Sequence, residues 1–160
     1  MAGDVIERAA AALQREQTVR GLLETACREL TAALEASACL ISRVVGDLLV
    51  SLVEFSQQER LEVGHEYLIS DYPLTKEVIV QGEARAVSLL DEDPEPNEAA
   101  LLKRLGFESL LMVCLNAADS CWGLVEIYAN GKRFEDGDAA TAEAIAAHAG
   151  RELERLEQTD

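Results

Sequence analysis

The stretch that decides the fold is Phe107-Glu-Ser-Leu-Leu-Met-Val-Cys-Leu115, followed after a short polar turn by Cys121-Trp-Gly-Leu-Val-Glu-Ile-Tyr128. Two apolar runs separated by turn residues are typical of a β-hairpin. Asn130-Gly131 then ends the second strand, and a long Ala-rich helix is predicted to begin at Asp136 or Asp138. Because no catalytic motif elsewhere competes with this stretch, function has to be inferred mainly from architecture.

The composition indicates one domain with an aliphatic core. Of the 160 residues, 49% are hydrophobic and only 4% are aromatic, so Leu, Val, Ile and Ala must supply most of the core. The length suits a single domain over 1–160, with an N-terminal helix expected within 1–17. The 30 acidic and 14 basic residues give a net charge of −16. This negative field repels nucleic acid and anionic lipid, so neither is an expected partner.

The chain lacks the sequence features of a membrane or secreted protein. No apolar run approaches the ~20 residues that a membrane span needs. The start, Met1-Ala-Gly-Asp-Val-Ile-Glu-Arg, has no basic segment followed by an apolar one, as a signal peptide would. We therefore expect a cytoplasmic protein. The four cysteines include no Cys-x-x-Cys pair and the chain has two histidines, so no zinc site is expected.

The N-terminal third predicts two helices. Ile6, Ala10 and Leu13 share one face of the first helix, and Thr18 is placed to cap the second. An apolar stripe of helical period then runs along the second helix through Val19, Leu22, Leu23, Ala26, Leu30, Ala33 and Leu34.

A hairpin and a third strand are predicted next. Ser37–Val45 and Leu48–Phe55 read as its two strands, joined by a turn at Gly46-Asp47. The polar segment Ser56–Glu62 is expected to be a loop. His65–Ile69 alternates weakly and reads as the third strand.

Two short helices and a strand are predicted before the second hairpin. The first helix covers Leu74–Gln81, between a proline near its first turn and a glycine just past its end. Ala84–Leu89 reads as a strand and Asp91–Pro96 as a rigid acidic loop. Asn97 is predicted to cap the second helix, which ends at Leu105 before a glycine.

The final helix carries a heptad seam of small and apolar residues. Its members alternate in steps of four and three, with Ile145 beside them, and such a seam favours close pairing of helices. Packing of the helix on its own sheet accounts for part of the pattern. Since the seam continues past the expected end of the sheet, we predict a homodimer through the terminal helices, with this seam at Ala142, Ala146, Ala149, Leu153 and Leu156.

Four stretches, in order, resemble the pattern of GAF domains, the small sensor and dimerisation modules of signalling proteins. They are Tyr72-Pro-Leu-Thr-Lys-Glu-Val-Ile-Val-Gln-Gly-Glu-Ala-Arg-Ala-Val87, Leu105-Gly-Phe-Glu-Ser-Leu-Leu-Met-Val-Cys-Leu115, Trp122-Gly-Leu-Val-Glu-Ile-Tyr128 and Phe134-x-x-x-Asp138. The resemblance covers about Arg20 to Leu156. Cys114 stands where the family usually has Pro, and Glu126 replaces an apolar residue. The resemblance implies a mixed α/β (α+β) fold with a central antiparallel sheet of five to six strands. The terminal helices are expected on one face and the short helices and loops on the other.

What the resemblance implies for function is a sensory or regulatory domain in signal transduction. It would bind a small-molecule ligand, mediate dimerisation, or both, without catalysis of its own. The cofactor is unknown. The pattern of cyclic-nucleotide-binding members is incomplete, because Gly131 interrupts Asn-Lys and Ala139 follows Asp138 where those members have Glu. A ligand-free structural dimerisation module is an alternative, in which side chains fill the cavity.

The expected ligand cavity lies on the sheet face opposite the terminal helices. Glu126 points to it, since this carboxylate shares a strand face with Trp122, Leu124 and Tyr128 and needs a partner or a water-filled pocket there. The alternative is that this face is partly solvated near the end of the strand. From the family's general fold, the candidate walls are Ile69, Tyr72, Thr75, Val87, Phe107 and Ser109.

The cysteines leave an enzyme alternative open. Free-methionine sulfoxide reductase is a GAF-fold thiol enzyme of about this size, although its cysteine arrangement does not match Cys27, Cys39, Cys114 and Cys121. Cys114 and Cys121 would face each other across the hairpin if its loop is 116–119. Two packed thiols are the favoured state in a reducing cytoplasm.

Overall fold

The computed structural model describes residues 2–57 and 67–158. Its helices are α1 (Ala2–Gln14), α2 (Val19–Ala33), α3 (Pro73–Gln81), α4 (Pro96–Leu105) and α5 (Asp136–Gln158). Its strands are β1 (Ala38–Val45), β2 (Leu48–Ser56), β3 (Tyr67–Leu68), β4 (Arg85–Ser88), β5 (Ser109–Ala117) and β6 (Ser120–Ala129). A 3₁₀ helix, Ile69–Asp71, joins β3 to α3.

The strands form one six-stranded sheet in the order β3-β2-β1-β6-β5-β4. Every pairing among the described strands is antiparallel. The first hairpin, β1–β2, lies beside the last strand of the second, β6, so the two predicted hairpins share one sheet. This confirms the predicted α+β fold class and the expected five to six strands.

The sheet separates two apolar clusters because side chains alternate across each strand. One cluster packs beneath α1, α2 and α5 and includes Leu111, Val113 and Ile127. The other lies beneath α3, α4 and the 3₁₀ helix and includes Leu110, Met112, Leu124 and Tyr128. The terminal helices therefore cover one face and the short helices the other, as predicted.

Helix ends follow the local sequence, with one exception. Thr18 Oγ1 caps α2 by accepting from Gly21 N at 3.0 Å, as predicted. The prediction that Asn97 caps α4 is wrong: Glu95 is the cap residue, and its carboxylate accepts from Glu98 N at 2.8 Å. Pro96 can occupy the first helical position because no N–H is needed there, and Asn97 instead donates from Nδ2 to the Asp71 carbonyl at 2.9 Å.

The third strand ends one residue earlier than predicted. It spans Tyr67–Leu68 and pairs with the start of β2, and Ile69 already belongs to the 3₁₀ helix. His65 and the segment 58–62 of the predicted loop lie outside the described residues. Ser56, the first residue of that predicted loop, ends β2 instead.

The predicted heptad seam of α5 is buried inside the chain's own core. Its five residues and Ile145 are each at most 5% exposed, and all of them except Ala146 belong to the apolar cluster that α5 forms with α1, α2 and β5. The helix approaches the sheet closely at Gly150, where a β-carbon would overlap the Asn116 carbonyl oxygen. At the far end, Arg155 Nη2 donates to the Glu16 carbonyl of the α1–α2 turn at 2.9 Å. The extra length of the seam thus packs on the N-terminal helices, which the sequence argument did not take into account.

Candidate ligand site

A polar cluster lies within the apolar face beneath α3 and α4. Glu126 of β6 is only 6% exposed and stands between its neighbours Leu40 on β1 and Met112 on β5 in the sheet register. The two-residue period of β6 places it on the same face as Leu124 and Tyr128. The structure therefore places Glu126 on the face where the cavity is expected. Trp122, also predicted on this face, packs against the other cluster, because the β5–β6 register shifts there and leaves Trp122 unpaired in the ladder.

Tyr128 is the hydrogen-bond partner of Glu126. Its hydroxyl donates to Glu126 Oε2 at 2.9 Å, and both side chains are buried. The Tyr128 ring stacks on Phe107, with 5.1 Å between ring centroids. This packing fixes the hydroxyl beneath the carboxylate.

A second buried carboxylate, Glu98, reaches the same cluster from α4. It is 1% exposed, and Thr75 Oγ1 of α3 donates a short hydrogen bond to its Oε1. The same hydroxyl lies 3.3 Å from Met112 Sδ, and Met112 is the sheet neighbour of Glu126. Glu98 Oε2 is buried and has no hydrogen-bond partner among the described residues. Because an unpaired buried polar atom is costly, this oxygen requires an explanation.

Both carboxylates have raised pKa values. Burial, followed by the negative charge of Glu98, raises the pKa of Glu126 to about 7, while the Tyr128 hydrogen bond acts in the opposite direction. Burial also raises the pKa of Glu98; the Thr75 hydrogen bond lowers it and the charge of Glu95 raises it further. The raised pKa favours the protonated form of Glu126, which limits the repulsion within the cluster.

Tyrosines form the rim of the cluster. Tyr67 and Tyr72 are half-buried and meet edge to face, with ring centroids 5.9 Å apart. Burial raises the pKa of Tyr67, and the charge of Glu126 raises it further. Arg104 of α4 donates from Nη2 to the Tyr72 hydroxyl at 3.4 Å. The rim therefore combines aromatic rings with one exposed cation.

The predicted wall residues do not all meet. Ile69, Thr75 and Val87 are buried on this face, and Tyr72 and Phe107 border it. Ser109 lies on the other side of the sheet, because it is paired with Ala129 and shares its strand parity with Leu111, both in the cluster beneath the terminal helices. Its hydroxyl bonds Ser88 Oγ at 2.9 Å and the Lys132 carbonyl at 2.6 Å.

Glu98 is the site residue that sequence reasoning missed. It stands in the first turn of a short helix after an acidic loop, where a carboxylate is normally a solvated helix-start residue. A signal was present: Leu101, Leu102 and Leu105 follow at the spacings that place residues on one helix face. That spacing predicts that Glu98 faces the sheet.

The cysteines form two contacting pairs. Cys27 of α2 contacts Cys39 of β1, and burial raises the pKa of Cys39 well above its usual range. Cys114 and Cys121 are in side-chain contact, but the turn is 118–119 and not the expected 116–119, so the two residues are not directly opposite in the register. This contact lowers the pKa of Cys114 and raises that of Cys121. All four thiols are free.

Cys114 also borders a surface cleft of about 240 Å³ at the outer edge of β5, beyond the end of β4. The cleft is separate from the Glu98–Glu126 cluster. Its lining is formed by Gly82, Val113, Cys114, Asn116, Glu143, Ala147, Arg151 and Glu154.

These features define the class of fold: an α+β domain, with helices from both chain ends on one face of an antiparallel sheet and a buried polar cluster on the other. The chain belongs to the GAF domain family, whose model matches residues 18–153. This confirms the resemblance carried by the four sequence stretches. Since the family comprises sensor domains of signalling proteins, a sensory signalling role is the functional class of the chain.

A solved structure with a similar fold is the chromophore-binding domain of an unusual bacteriophytochrome from R. palustris. The TM-score is 0.85 at 12% identity, and the match covers 98% of this chain. The chain spans 62% of that structure, less than two thirds of its length. No curated protein matches the chain. At this identity the likeness establishes the fold alone.

Within 2–57 and 67–158, no group of three or more His, Cys, Asp or Glu side chains is placed to hold a metal ion. No helix in these ranges is long and apolar enough to cross a membrane.

Proposed function

We propose that this chain is a sensory domain that binds a small molecule beneath α3 and α4 and does not itself catalyse a reaction. The observation that carries the proposal is the buried polar cluster of Glu98, Thr75, Glu126 and Tyr128 within an otherwise apolar face. Burying carboxylates costs stability unless they are well paired. A binding role explains why the core contains them.

The architecture also supports a route for the signal. The strands β1, β5 and β6 contribute side chains to the cluster beneath the short helices and to the cluster beneath the terminal helices. A ligand that moves the strands from one face would therefore alter packing against α5 on the other. Close-packed interiors transmit such displacements because they have little free volume.

The test is a broad ligand screen by thermal shift, with native mass spectrometry to detect ligand retained from purification. A ligand at ~100 times its dissociation constant adds ~2.7 kcal/mol of stability. For a hit, the shift should shrink in Thr75→Val, measured against that variant's own melting temperature, and persist in Thr141→Val on α5. A hit with equal shifts in both variants binds elsewhere and contradicts the proposed site.

We further propose a homodimer through the terminal helices, as predicted from the sequence. Because the seam of α5 is used inside the chain, the pairing surface would be the outer face of these helices, where Arg8, Glu143, Ala147 and Arg151 are exposed. Light scattering at micromolar concentration tests this directly. A monomeric mass would refute the dimer without affecting the ligand proposal.

A thiol enzyme remains the second candidate, favoured by the Cys114–Cys121 contact beside the cleft. A thiolate is the reactive form, and the lowered pKa of Cys114 favours it. The assay is reduction of free methionine sulfoxide with a dithiol donor. Turnover that disappears in Cys114→Ser or Cys121→Ser would replace the sensor proposal, whereas no turnover would agree with it.

A further inference from the structure

The buried carboxylates of the cluster lack a cationic partner. Glu98 and Glu126 are 1% and 6% exposed, and their hydrogen bonds come from the neutral hydroxyls of Thr75 and Tyr128. Within the described part of the chain, none of the groups that shift their pKa values is a cation. Arg104, on the rim, bonds the Tyr72 hydroxyl instead. Buried charges are normally paired, and this cluster contains two carboxylates but no cation to pair with them.

One oxygen points to where a partner is missing. Glu98 Oε2 is buried and accepts no hydrogen bond from the described residues, although Oε1 of the same carboxylate is bonded. A carboxylate oxygen in this state requires a hydrogen-bond donor, and a charged donor makes a bond about twice as strong as a neutral one.

Aromatic side chains are concentrated around these carboxylates. The chain has only three tyrosines, and all three lie on this face: Tyr128 in the cluster and Tyr67 and Tyr72 at its rim. Phe107 stacks on Tyr128. Aromatic faces attract organic cations through their quadrupole, most strongly where water is excluded.

We propose that the ligand of this site is a small organic cation, a primary ammonium or a guanidinium, whose N–H groups bind Glu98 Oε2 and the Glu126 carboxylate among the tyrosines. This inference rests on the proposed function and names the chemical class of its ligand. Entry would be at the rim formed by Tyr67, Tyr72 and Arg104, and would require α3 and α4 to separate slightly, because the carboxylates are sealed from solvent.

The same groups disfavour other classes of ligand. An anion would meet two carboxylates and a chain of net charge −16. Calcium takes about six to eight oxygen ligands, whereas this cluster offers the two carboxylates and the hydroxyls of Thr75 and Tyr128. A neutral ligand could bond Glu98 Oε2 but would leave the negative charge of the cluster unbalanced.

The experiment compares matched cationic and neutral probes. n-Butylguanidine and putrescine are titrated into the protein by calorimetry and thermal shift at pH 8, with n-butylurea as the neutral isostere of n-butylguanidine. We expect at least one cation to bind and n-butylurea to bind at least about tenfold more weakly. Glu98→Gln and Glu126→Gln should each weaken the cation at least about tenfold, while exposed Glu7→Gln should leave it unchanged.

The outcomes separate this inference from the proposed function. The organic-cation class is overturned if neither cation binds the wild-type protein more tightly than it binds Glu126→Gln. It is also overturned if calcium or magnesium chloride alone gives a thermal shift that depends on Glu98 and Glu126. A neutral or anionic compound from the broad screen that loses binding in Thr75→Val would then leave the proposed function standing. If no screened compound depends on Thr75, Glu98 or Glu126, both fail. Circular dichroism of each variant establishes that it is folded.

Discussion

Glu126 shows how one residue in a strand can indicate a buried polar cluster. Three features of the sequence made it informative: a mid-strand position, apolar neighbours on both sides, and shared parity with Tyr128. The structure adds the sheet neighbours Leu40 and Met112, which enclose the carboxylate. The energetic cost of burying this carboxylate depends on whether it is protonated. This cost can therefore be measured from the pH dependence of stability, without knowing the ligand.

Replacing Glu126 by Gln is expected to stabilise the protein at alkaline pH. Burial and the charge of Glu98 raise the folded-state pKa from 4.5 to about 7. The unfolded state therefore loses its proton first as pH rises, and wild type loses up to about 3 kcal/mol of stability between pH 4.5 and 7. Gln keeps the shape and an oxygen acceptor for Tyr128 but has no such penalty.

Urea unfolding of both proteins from pH 5 to pH 8 measures this effect. The stability difference in favour of Glu126→Gln should grow from pH 5 to about pH 7 and level off above that pH. The exposed Glu7→Gln variant provides the flat reference. A difference for Glu126→Gln that is also independent of pH would mean that the carboxylate is not held at a raised pKa.

Residue placement was predictable where strand parity and register were clear. Parity put Glu126 on the correct face. Ser109 was assigned to the same face from the general fold, yet it is an odd number of residues from Leu110 and Met112 and so points the other way. Glu98 was missed because helix-start carboxylates are usually solvated, and burial depends on where α4 docks.

At the scale of elements, α5 shows why periodicity does not identify a partner. The steps of four and three through Ala142 to Leu156 correctly predicted an apolar helix face. The apolar face of a heptad seam can be buried equally well by another chain or by α1, α2 and β5 of the same chain. In this structure it is buried by the same chain. The partner of a seam is a tertiary property that the helix's own residues do not encode.

Leu153→Glu is therefore expected to destabilise the folded monomer, not merely to split a dimer. Leu153 is fully buried, and a carboxylate in its place would be desolvated without a partner, costing at least about 3 kcal/mol. Urea unfolding followed by circular dichroism measures the loss. Ala140→Glu, at an exposed position of the same helix, should change stability little. If Leu153→Glu keeps the wild-type stability but has half the wild-type mass in solution, the seam is a dimer interface and not part of the chain's own core.

Gly150→Ala is expected to destabilise the protein despite the better helix propensity of alanine. In a free helix the change favours helix by about 1 kcal/mol. At position 150 the new β-carbon would overlap the Asn116 backbone carbonyl, so α5 would have to move away from β5.

Gly137→Ala in the first turn of α5 is the matched control, because open space surrounds that position. Thermal unfolding of the two variants should give a lower melting temperature for Gly150→Ala and an unchanged or higher one for Gly137→Ala. Equal stabilisation in both would show that α5 does not approach β5 as closely as described.

For the whole molecule, architecture was more predictable than ligand. Alternation in β1, β5 and β6 requires two apolar layers, and helices of opposite chain ends supply one of them. The chemistry of the site depends on α3 and α4, whose short sequences determine their own ends but not how they dock. Thr75, Glu98 and Glu126 are far apart in sequence and meet only through that docking.

Hydrogen–deuterium exchange with the compound that gives the largest thermal shift tests the central claim most directly. If the ligand binds beneath the short helices, bound protein should exchange more slowly in α3, α4 and the Glu126 segment of β6, because binding suppresses local opening. The largest protection should fall in these segments and not at the edge of β5 near Asn116 or in the Arg151 segment of α5, which line the separate cleft. Protection confined to that cleft, with α3 and α4 unchanged, would contradict a ligand site at the Glu98–Glu126 cluster.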